Sequence, residues 1–493
     1  MNTSDYLLEK ANKNALVFIT NDMHVSYGLL QSMSVQLIEE LQKNYIQPGD
    51  RVAIWGVNSP YWAAAYLAIM KIGAVAVPIS TFISMEDFKR NMEFAGCKFL
   101  LVDKLLFYRN LENSHEYPSF ILDDELLNVE QGDWPETDGN FDFDRDAAFM
   151  FTSGTTATPR AVRITHRNIQ ANTDSIIDYL ALDSDERMMV VLPFFYCFGT
   201  SLLHTHLRVG ATLVLAKSFV FPETVLDLME TSRSTGFAGV PTNYQTLLRN
   251  STFTRRKLPH LRKLQQAGGK LHDTLIQELV DSHPQAKVFV MYGQTEATAR
   301  LSYLPPELLS TKLGSIGKGI PGVTLSVARE EDGQAVKPGE VGEILAEGDN
   351  ISPGYYMDPE ATKEKFKNGI LYTGDLATVD EEGFIYIVDR KSDFIKSYGN
   401  RISSYEIETC VLQIPEVVAA AAIGVPDERA GEKIRVFVIL SSKSAVNAEN
   451  IMEHCRKHLS RYMWPEDIVI TKSFPVNAHG KVIKSELRKI GTS

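Results

Sequence analysis

The sequence is poor in cysteine and has no excess of basic residues. Four cysteines occur among 493 residues, and no two have the close spacing of a disulfide framework or a zinc site: Cys97, Cys197, Cys410 and Cys455. We therefore expect reduced thiols and a cytoplasmic location. Acidic residues outnumber basic ones by 62 to 50, giving a net charge of −12. This balance argues against general nucleic-acid binding and against a basic membrane-binding face.

The chain also lacks a hydrophobic run suited to crossing a membrane. Its most apolar stretch, residues 61–79, is interrupted by Lys71, Gly73 and Pro78, and it predicts a buried helix followed by a strand. The first 15 residues have neither the basic start nor the apolar core of a signal peptide. We expect no membrane span.

Length and patterning predict a multidomain α/β protein. A chain of 493 residues, 44% hydrophobic and 23% charged, is typical of a globular protein with two or three domains. Residues 24–105 alternate strand and helix patterns, with a strand at Arg51–Trp55, a helix from Pro60 and a strand over 74–78. This alternation predicts a parallel sheet covered by helices. Residues 314–391 are expected to be β-rich.

The most distinctive stretch covers residues 150–162, with the sequence MFTSGTTATPRAV. An apolar run leads into five consecutive small residues, four of which carry hydroxyls, and Arg160 follows. Such a turn can direct N–H groups, hydroxyls and a guanidinium at an anion. It is not a Walker A loop, because no Gly-Lys-Ser/Thr follows at the required spacing. On composition alone, an ordinary surface loop is the alternative. Thr165 is the expected N-cap of the next helix.

Together with four other segments, this stretch resembles the adenylate-forming superfamily of AMP-binding enzymes. That superfamily includes acyl-CoA synthetases, aryl-CoA ligases, luciferases and the adenylation domains of peptide synthetases. The other segments are YGQTE at 292–296, YTGD at 372–375, the stretch FIKSYGNRIS at 394–403 and HGK at 479–481. All five stand in family order, and the resemblance covers about residues 25–490.

The resemblance implies a fold and a nucleotide site. The fold is a large N-terminal domain (1–391) of helix-covered sheets with a β-rich subdomain, followed by a small mobile α+β lid domain (392–493) with Ser392 at the hinge. The ligands implied are ATP and Mg²⁺, with Glu296 at the metal. The implied ATP/AMP-binding residues are Thr152, Ser153, Gly154, Thr155, Thr156, Arg160, Gly268, Gly269, Tyr292, Gly293, Gln294, Thr295, Asp375 and Arg390.

By the same resemblance, individual residues receive roles. Tyr292 would pack on the adenine, and Thr295 would contact the α-phosphate or the substrate carboxylate. Asp375 would bind both ribose hydroxyls, a task that suits a carboxylate because it accepts two hydrogen bonds. Arg390 would be a second ribose or phosphate contact. From the residues alone, Thr295 and Asp375 could instead cap a helix and a turn.

The acid-binding pocket and the thiol site are assigned in the same way. The pocket would be formed by Phe195, Tyr196, Cys197, Gly239 and Gly268, although the aromatic residues of this segment could equally be plain core. Lys481 would stabilise the reacting carboxylate and α-phosphate, and Lys396 and Gly399 would line the tunnel for the thiol. His204 and His206 lie two residues apart, but with no further ligand cluster we expect them to pack rather than bind a metal.

The implied reaction is ATP-dependent activation of a small carboxylate to an acyl-adenylate, with transfer to a phosphopantetheine thiol. We favour loading of a small amino acid onto a phosphopantetheinylated carrier protein, with formation of a coenzyme A thioester as the alternative. Against an amino acid, Cys197 stands where peptide synthetases place an Asp for the α-ammonium group. A third hypothesis is a degenerate binder of adenylates, because Ala157 and Ala161 replace two glycines of the phosphate loop. Arg160 replaces the lysine of that loop and keeps its charge.

Overall fold

The structure is a computed structural model that describes residues 1–112, 116–130, 132–137, 141–152, 159–390, 394–427, 429–441, 444–475 and 482–490. The strands in these ranges are β1 (Leu16–Ile19), β2 (His24–Ser26), β3 (Arg51–Trp55), β4 (Val75–Ile79), β5 (Cys97–Asp103), β6 (Ser119–Leu122), β7 (Asp146–Phe151), β8 (Ala161–Thr165), β9 (Arg187–Val190), β10 (Thr212–Leu215), β11 (Gly236–Gly239), β12 (Lys263–Gln266), β13 (Lys287–Tyr292), β14 (Ser302–Leu304), β15 (Lys318–Gly319), β16 (Val323–Ala328), β17 (Gly342–Gly348), β18 (Phe366–Lys367), β19 (Ile370–Val379), β20 (Ile385–Arg390), β21 (Ile395–Ser397), β22 (Asn400–Ile402), β23 (Val417–Asp427), β24 (Gly431–Leu440) and β25 (Asp467–Ile470).

The α-helices are α1 (Thr3–Leu8), α2 (Tyr27–Lys43), α3 (Pro60–Lys71), α4 (Met85–Ala95), α5 (Lys104–Asn110), α6 (His166–Leu180), α7 (Cys197–Val209), α8 (Pro222–Thr231), α9 (Pro241–Asn250), α10 (Asp273–Ser282), α11 (Pro359–Lys365), α12 (Ser404–Leu412), α13 (Ala448–His458) and α14 (Lys484–Lys489). Short 3₁₀ helices lie at Asp124–Asn128, Phe253–Arg255, Thr295–Ala297, Pro306–Leu308 and Arg461–Met463.

Two sheets share one large core. The first has the order β6-β5-β3-β4-β7-β8 and is parallel except for the antiparallel pair β7–β8. All twelve residues of α3 are buried, as expected of a helix that is apolar on every side. Its side chains belong to one cluster with residues of β3 and of β10, a strand of the second sheet.

The second sheet positions the site. Its order is β15-β14-β13-β12-β11-β9-β10-β1-β2, and the six strands from β13 to β1 run parallel to one another. The strands β13, β12, β11 and β9 are therefore adjacent and end at the same edge of the sheet. In open α/β sheets, ligands bind outside the carboxyl ends of parallel strands, so this edge is the expected place for a site.

Two antiparallel units complete the chain. The strands β16-β17-β19-β18, with β20 on β19, form a five-stranded sheet, and this confirms the β-rich region predicted over 314–391. After residue 394, the order β22-β21-β24-β23, with β25 parallel to β24, is combined with α12, α13 and α14. The predicted fold class is confirmed. The boundary predicted at 391/392 lies outside the described residues and stays a prediction.

Several local predictions can be compared with the described residues. Thr165 caps α6, its hydroxyl accepting from the Asn168 N–H, as the sequence predicts. The buried helix and strand expected over 61–79 are present as α3 and β4. The short helix α1 was not predicted; Asn2 caps it and donates to the Met70 carbonyl. Among the described residues, no helix is both long and apolar enough to cross a membrane. All four cysteines are free thiols.

Candidate active site

The segments that follow β9, β11 and β12 meet, as the strand order requires. Gly268, two residues after β12, lies so close to its neighbours that an added Cβ would be 2.8 Å from Val240 Cγ1 and 3.2 Å from the Tyr196 hydroxyl. Its φ of +81° is also disfavoured for residues with a side chain. Gly268 therefore allows β12 to end directly against the segment that contains Tyr196. Gly268 and Tyr196 are two of the residues predicted to form the acid pocket.

The turn after β13 touches the same wall. The Thr295 hydroxyl donates to Cys197 Sγ at 3.5 Å, and the N-cap of the 3₁₀ helix is Gln294 and not Thr295. Burial raises the pKa of the Cys197 thiol to about 11, against the opposing effects of the Thr295 hydroxyl and the Arg300 guanidinium. The thiol is therefore neutral at pH 7. Cys197 does not supply the negative charge that an α-ammonium group requires.

Gly293 makes this turn possible. A Cβ at this position would lie 1.9 Å from the Ala299 carbonyl oxygen and 2.8 Å from Arg300 Cα, so the two arms of the turn cross at backbone contact. The crossing is held by the Leu301 N–H, which donates to the Tyr292 carbonyl at 2.9 Å. Thr295 and Glu296 lie between these two arms.

A carboxylate from the five-stranded sheet reaches the turn. Asp375 in β19 is registered opposite Arg390 in β20, and its Oδ1 is 3.1 Å from Arg390 Nε. Its other oxygen, Oδ2, accepts a hydrogen bond of 2.6 Å from the Tyr292 hydroxyl. Burial, and then the Asp375 charge, hold the pKa of Tyr292 well above its usual value, so the phenol stays a donor. Three residues predicted at the nucleotide thus form one cluster.

Glu296 is linked to Arg160 through Tyr355. The Tyr355 hydroxyl donates to Glu296 Oε1 at 2.8 Å, and the Arg160 guanidinium lies over the Tyr355 ring with its Cζ 5.0 Å from the centroid. Arg160 Nε is also 3.6 Å from Asp358 Oδ2. Sequence reasoning missed Tyr355, since it is 59 positions from its partner and lies in no recognised motif.

A second residue that sequence reasoning missed is Lys365, the last residue of α11. Its Nζ donates to the Thr373 carbonyl at 2.6 Å and would be 3.2 Å from a Cβ on Gly374. Burial lowers the pKa of Lys365, and the negative charges of Glu296 and Asp375 oppose that shift. A cation therefore stands near both carboxylates of the candidate nucleotide site. Nothing in the local sequence around Lys365 signals this position.

Other predicted residues are described only in part. Ser153, Gly154, Thr155, Thr156, Ser392 and Lys481 lie outside the described residues. The ends of the predicted phosphate loop are close, because the Thr152 N–H donates to the Arg160 carbonyl at 3.0 Å. The segment around Lys396, predicted to line the thiol tunnel, is the hairpin β21–β22, and Gly399 lies at its turn with a φ of +74°. The Lys396 side chain is exposed.

The two histidines of α7 pack as expected. His204 is buried with its Nε2 3.2 Å from the Tyr66 hydroxyl, and His206 Nδ1 lies 2.9 Å from the Leu202 carbonyl oxygen. Burial lowers the pKa of His204 to about 3 and that of His206 to about 4. Within the part of the chain that the structure describes, no three His, Cys, Asp or Glu side chains group as metal ligands.

Comparisons with known proteins assign this architecture. Residues 7–356 match the family described as AMP-binding enzyme, and residues 406–481 match the AMP-binding enzyme C-terminal domain. The chain belongs to the AMP-binding enzyme family. It is 31% identical over 474 residues to a feruloyl-CoA synthase of Amycolatopsis sp, covering 94% of each chain. It is 30% identical over 486 residues to the 2-succinylbenzoate–CoA ligase of Bacillus subtilis, covering 98% of this chain and 97% of the relative.

Solved structures agree with this assignment. The B. subtilis O-succinylbenzoate coenzyme A synthetase in complex with ATP and magnesium ion has a TM-score of 0.87 to this chain at 30% identity, covering 98% of this chain and 99% of that one. The protein is thus an AMP-forming acid–thiol ligase, and its cofactors are ATP and Mg²⁺. Both curated relatives are named for coenzyme A. This supports the alternative acceptor, and amino-acid loading onto a carrier protein, which the sequence favoured, is not supported.

Proposed function

We propose that this enzyme joins a small carboxylic acid to coenzyme A through an acyl-adenylate. The observation that carries the proposal is the position of the turn after β13. On one side its Tyr292 hydroxyl bonds Asp375, the expected ribose ligand, and on the other its Thr295 hydroxyl bonds Cys197 in the expected acid pocket. The expected nucleotide site and the expected acid pocket therefore contact the same short turn. This closeness suits a reaction that joins the two ligands.

In the proposed first step, a carboxylate oxygen of the acid attacks the α-phosphorus of ATP. The bond from that phosphorus to the bridging oxygen breaks, and pyrophosphate leaves. Asp375 holds the ribose hydroxyls through two oxygens whose positions Tyr292 and Arg390 fix. Thr295 orients the carboxylate, and Lys481 stabilises the negative charge shared by carboxylate and α-phosphate.

The residues around Glu296 fit a magnesium ion bound with nucleotide phosphates. Mg²⁺ prefers oxygen ligands and is usually held by one or two carboxylates together with substrate phosphates. Glu296 supplies a carboxylate with Oε1 fixed by Tyr355, and the described residues offer no group of three ligands that would hold the ion by themselves. When bound, the ion would offset phosphate charge. Arg160 and Lys365 provide further positive charge at this end of the site.

In the proposed second step, the thiol sulfur of coenzyme A attacks the acyl carbon of the adenylate. The bond from that carbon to the phosphate oxygen breaks, AMP leaves, and the thiol gives its proton to solvent. We assign the thiol path to the β21–β22 hairpin, where Lys396 is exposed and Gly399 leaves open space beside the turn. Between the two steps, a rotation of the C-terminal domain about Ser392 would withdraw Lys481 from the reacting centre and bring this hairpin to it.

The names of the curated relatives support coenzyme A as the acceptor and an aryl or acyl acid as the substrate. Both relatives cover nearly the whole chain, so the similarity includes the region around the pocket and the C-terminal domain. The neutral Cys197 thiol is consistent with an acid that carries no α-ammonium group.

Exchange of labelled pyrophosphate into ATP tests the first step. We expect exchange that depends on one class of acid from a panel of aryl, acyl and amino acids, and Lys481→Ala should abolish it. Mass spectrometry then tests the second step by comparing coenzyme A with a phosphopantetheinylated carrier protein as acceptor; we expect only the coenzyme A thioester. If ATP binds but no acid supports exchange, and Ala157→Gly restores it, the natural protein is the degenerate adenylate binder.

A further inference from the structure

A buried arginine beside the acid pocket has no counter-charge within the described part of the chain. The Arg300 side chain is 1% exposed, and its Nε and Nη2 have no hydrogen-bond partner among the residues that the structure describes. It forms no ion pair with the described Asp and Glu residues. Arginine is rarely buried completely unless it is paired, because an unpaired charge loses its hydration with no compensation.

The guanidinium lies against the wall of the pocket. Its Cζ is 4.2 Å from the centroid of the Phe198 ring, and Phe198 follows Cys197, whose sulfur contacts Thr295. The Tyr179 hydroxyl also interacts with the guanidinium. The charge is therefore next to the residues that the proposed function assigns to the acid.

The backbone of Arg300 is fixed by two amide side chains. Its carbonyl accepts from Asn172 Nδ2 at 3.0 Å and from Asn350 Nδ2 at 2.9 Å. The residue also follows the crossing at Gly293, so its position is set by the same turn that places Thr295 and Glu296. The side chain consequently has little freedom to leave the pocket for solvent.

The two unpartnered nitrogens identify the chemistry of a ligand. Nε and Nη2 form one edge of the planar guanidinium, and this edge donates two parallel hydrogen bonds that match a carboxylate. An acid without a second negative charge would leave this edge of the guanidinium unpaired. An α-ammonium group near the edge would be repelled by it. Because Thr295 and Lys481 serve the reacting carboxylate in the proposed function, the anion at Arg300 is a different group of the same substrate.

We infer that Arg300 binds a second carboxylate of the acid, so that the enzyme selects dicarboxylic acids. This inference rests on the proposed function and makes its substrate class specific. Arg300 is then a specificity residue that contacts the substrate away from the reacting centre.

Matched pairs of a dicarboxylic acid and its half-amide test the inference, because the two have nearly the same shape and differ in one charge. In pyrophosphate exchange with the wild-type enzyme, we expect kcat/KM for the best diacid to exceed that for its half-amide by about 100-fold or more, as expected for a buried charge pair. Arg300→Met should reduce this ratio to near one. Arg300→Lys, which keeps the charge but not the bidentate edge, should give an intermediate ratio.

Direct binding provides a second readout. With a non-hydrolysable ATP analogue present, the diacid should raise the melting temperature of the wild-type enzyme and not that of Arg300→Met. Thermal unfolding and ATP binding of Arg300→Met report whether it folds. Arg329→Met removes an arginine that is paired with Asp332 after β16 and has no part in the proposed site, so it should leave the diacid preference intact.

Three results would overturn the inference. If the wild-type enzyme prefers monocarboxylic acids, Arg300 does not bind a second carboxylate of the substrate. An equal loss of diacid and half-amide activity in a folded Arg300→Met would place Arg300 at the reacting carboxylate or in a structural role. Both results leave the proposed function standing, whereas wild-type enzyme that exchanges pyrophosphate with no acid would overturn the proposed function and this inference together.

Discussion

Replacing Gly293 with alanine tests the geometry of the candidate site most directly. The added Cβ would lie 1.9 Å from the Ala299 carbonyl oxygen and 2.8 Å from the Ala299 carbonyl carbon. Both neighbours are backbone atoms, so no flexible side chain can move aside. The two arms of the turn must separate by about 1 Å, and a displacement of this size at a positioned reacting group costs about 100-fold in rate.

The displacement affects both ligands of the proposed reaction. Tyr292 precedes Gly293 and orients Asp375, while Thr295 follows it and contacts Cys197. We expect Gly293→Ala to reduce kcat/KM for acid-dependent pyrophosphate exchange by about 100-fold. The overpacked turn should also lower the free energy of unfolding by about 1–3 kcal/mol, measured by urea denaturation.

Gly333→Ala is the matched control for the loss of stability. Gly333 lies in an exposed turn with a φ of +70° and no atom within 4 Å of an added Cβ. Its replacement should cost about 1–2 kcal/mol through backbone strain and leave exchange at the wild-type rate. If Gly293→Ala retains exchange within a few-fold of wild type, the turn does not position the reacting groups and the argument from its crossing is wrong.

Three further predictions concern Tyr355, Lys365 and His204. Tyr355→Phe removes the donor to Glu296 and should raise the Mg²⁺ concentration needed for half-maximal exchange by about 10-fold or more, as for a hydrogen bond to a charged group; an unchanged magnesium titration would separate Tyr355 from metal binding. Lys365→Met should raise the KM for ATP by about 10-fold and not the KM for the acid, and equal changes in both would contradict a nucleotide role. Burial lowers the pKa of His204 to about 3, so between pH 6.5 and 5 the unfolded chain gains a proton that the folded chain does not, and stability falls with falling pH by about 2 kcal/mol. His204→Gln should remove this contribution of about 2 kcal/mol while His206 keeps its own, as measured by urea denaturation at pH 7.5, 6.5 and 5. An identical slope in the variant would show that other groups cause the dependence.

Local sequence signals predicted the elements that carry the site. Thr165 has the side chain of an N-cap and is followed by a helical pattern, and the continuous apolar runs around β3, β4 and β7 are typical of strands buried on both faces. These features depend on neighbours in the sequence, so a single sequence is sufficient to read them. The relative order of the motifs then allowed a family resemblance to assign the nucleotide residues.

The partners that hold those residues could not be predicted in this way. The hydrogen bond between Tyr292 and Asp375 joins residues 83 positions apart. Tyr355 bonds Glu296 from the segment between β17 and α11, 59 positions further along the chain. Lys365 and Arg300 are even less visible, because a lysine at a helix end and an arginine after a turn usually point to solvent. Their importance follows only from burial and from charges that the folded chain brings close.

Binding of the nucleotide and selection of the acid depend on different residues of this arrangement. Tyr292, Asp375 and Glu296 are the residues predicted to bind the nucleotide and its metal ion, so in the proposed function they would serve any acid that is activated with ATP. Cys197 contacts the Thr295 hydroxyl of the same turn, and its neutral thiol feels both the buried Arg300 cation and the Glu296 carboxylate. An ammonium group would be repelled at this place, whereas a carboxylate would find two donors. If Arg300 binds a second carboxylate as inferred, the same turn serves the common chemistry through Tyr292 and disfavours, through the arginine that follows it, the amino acids that the sequence alone favoured.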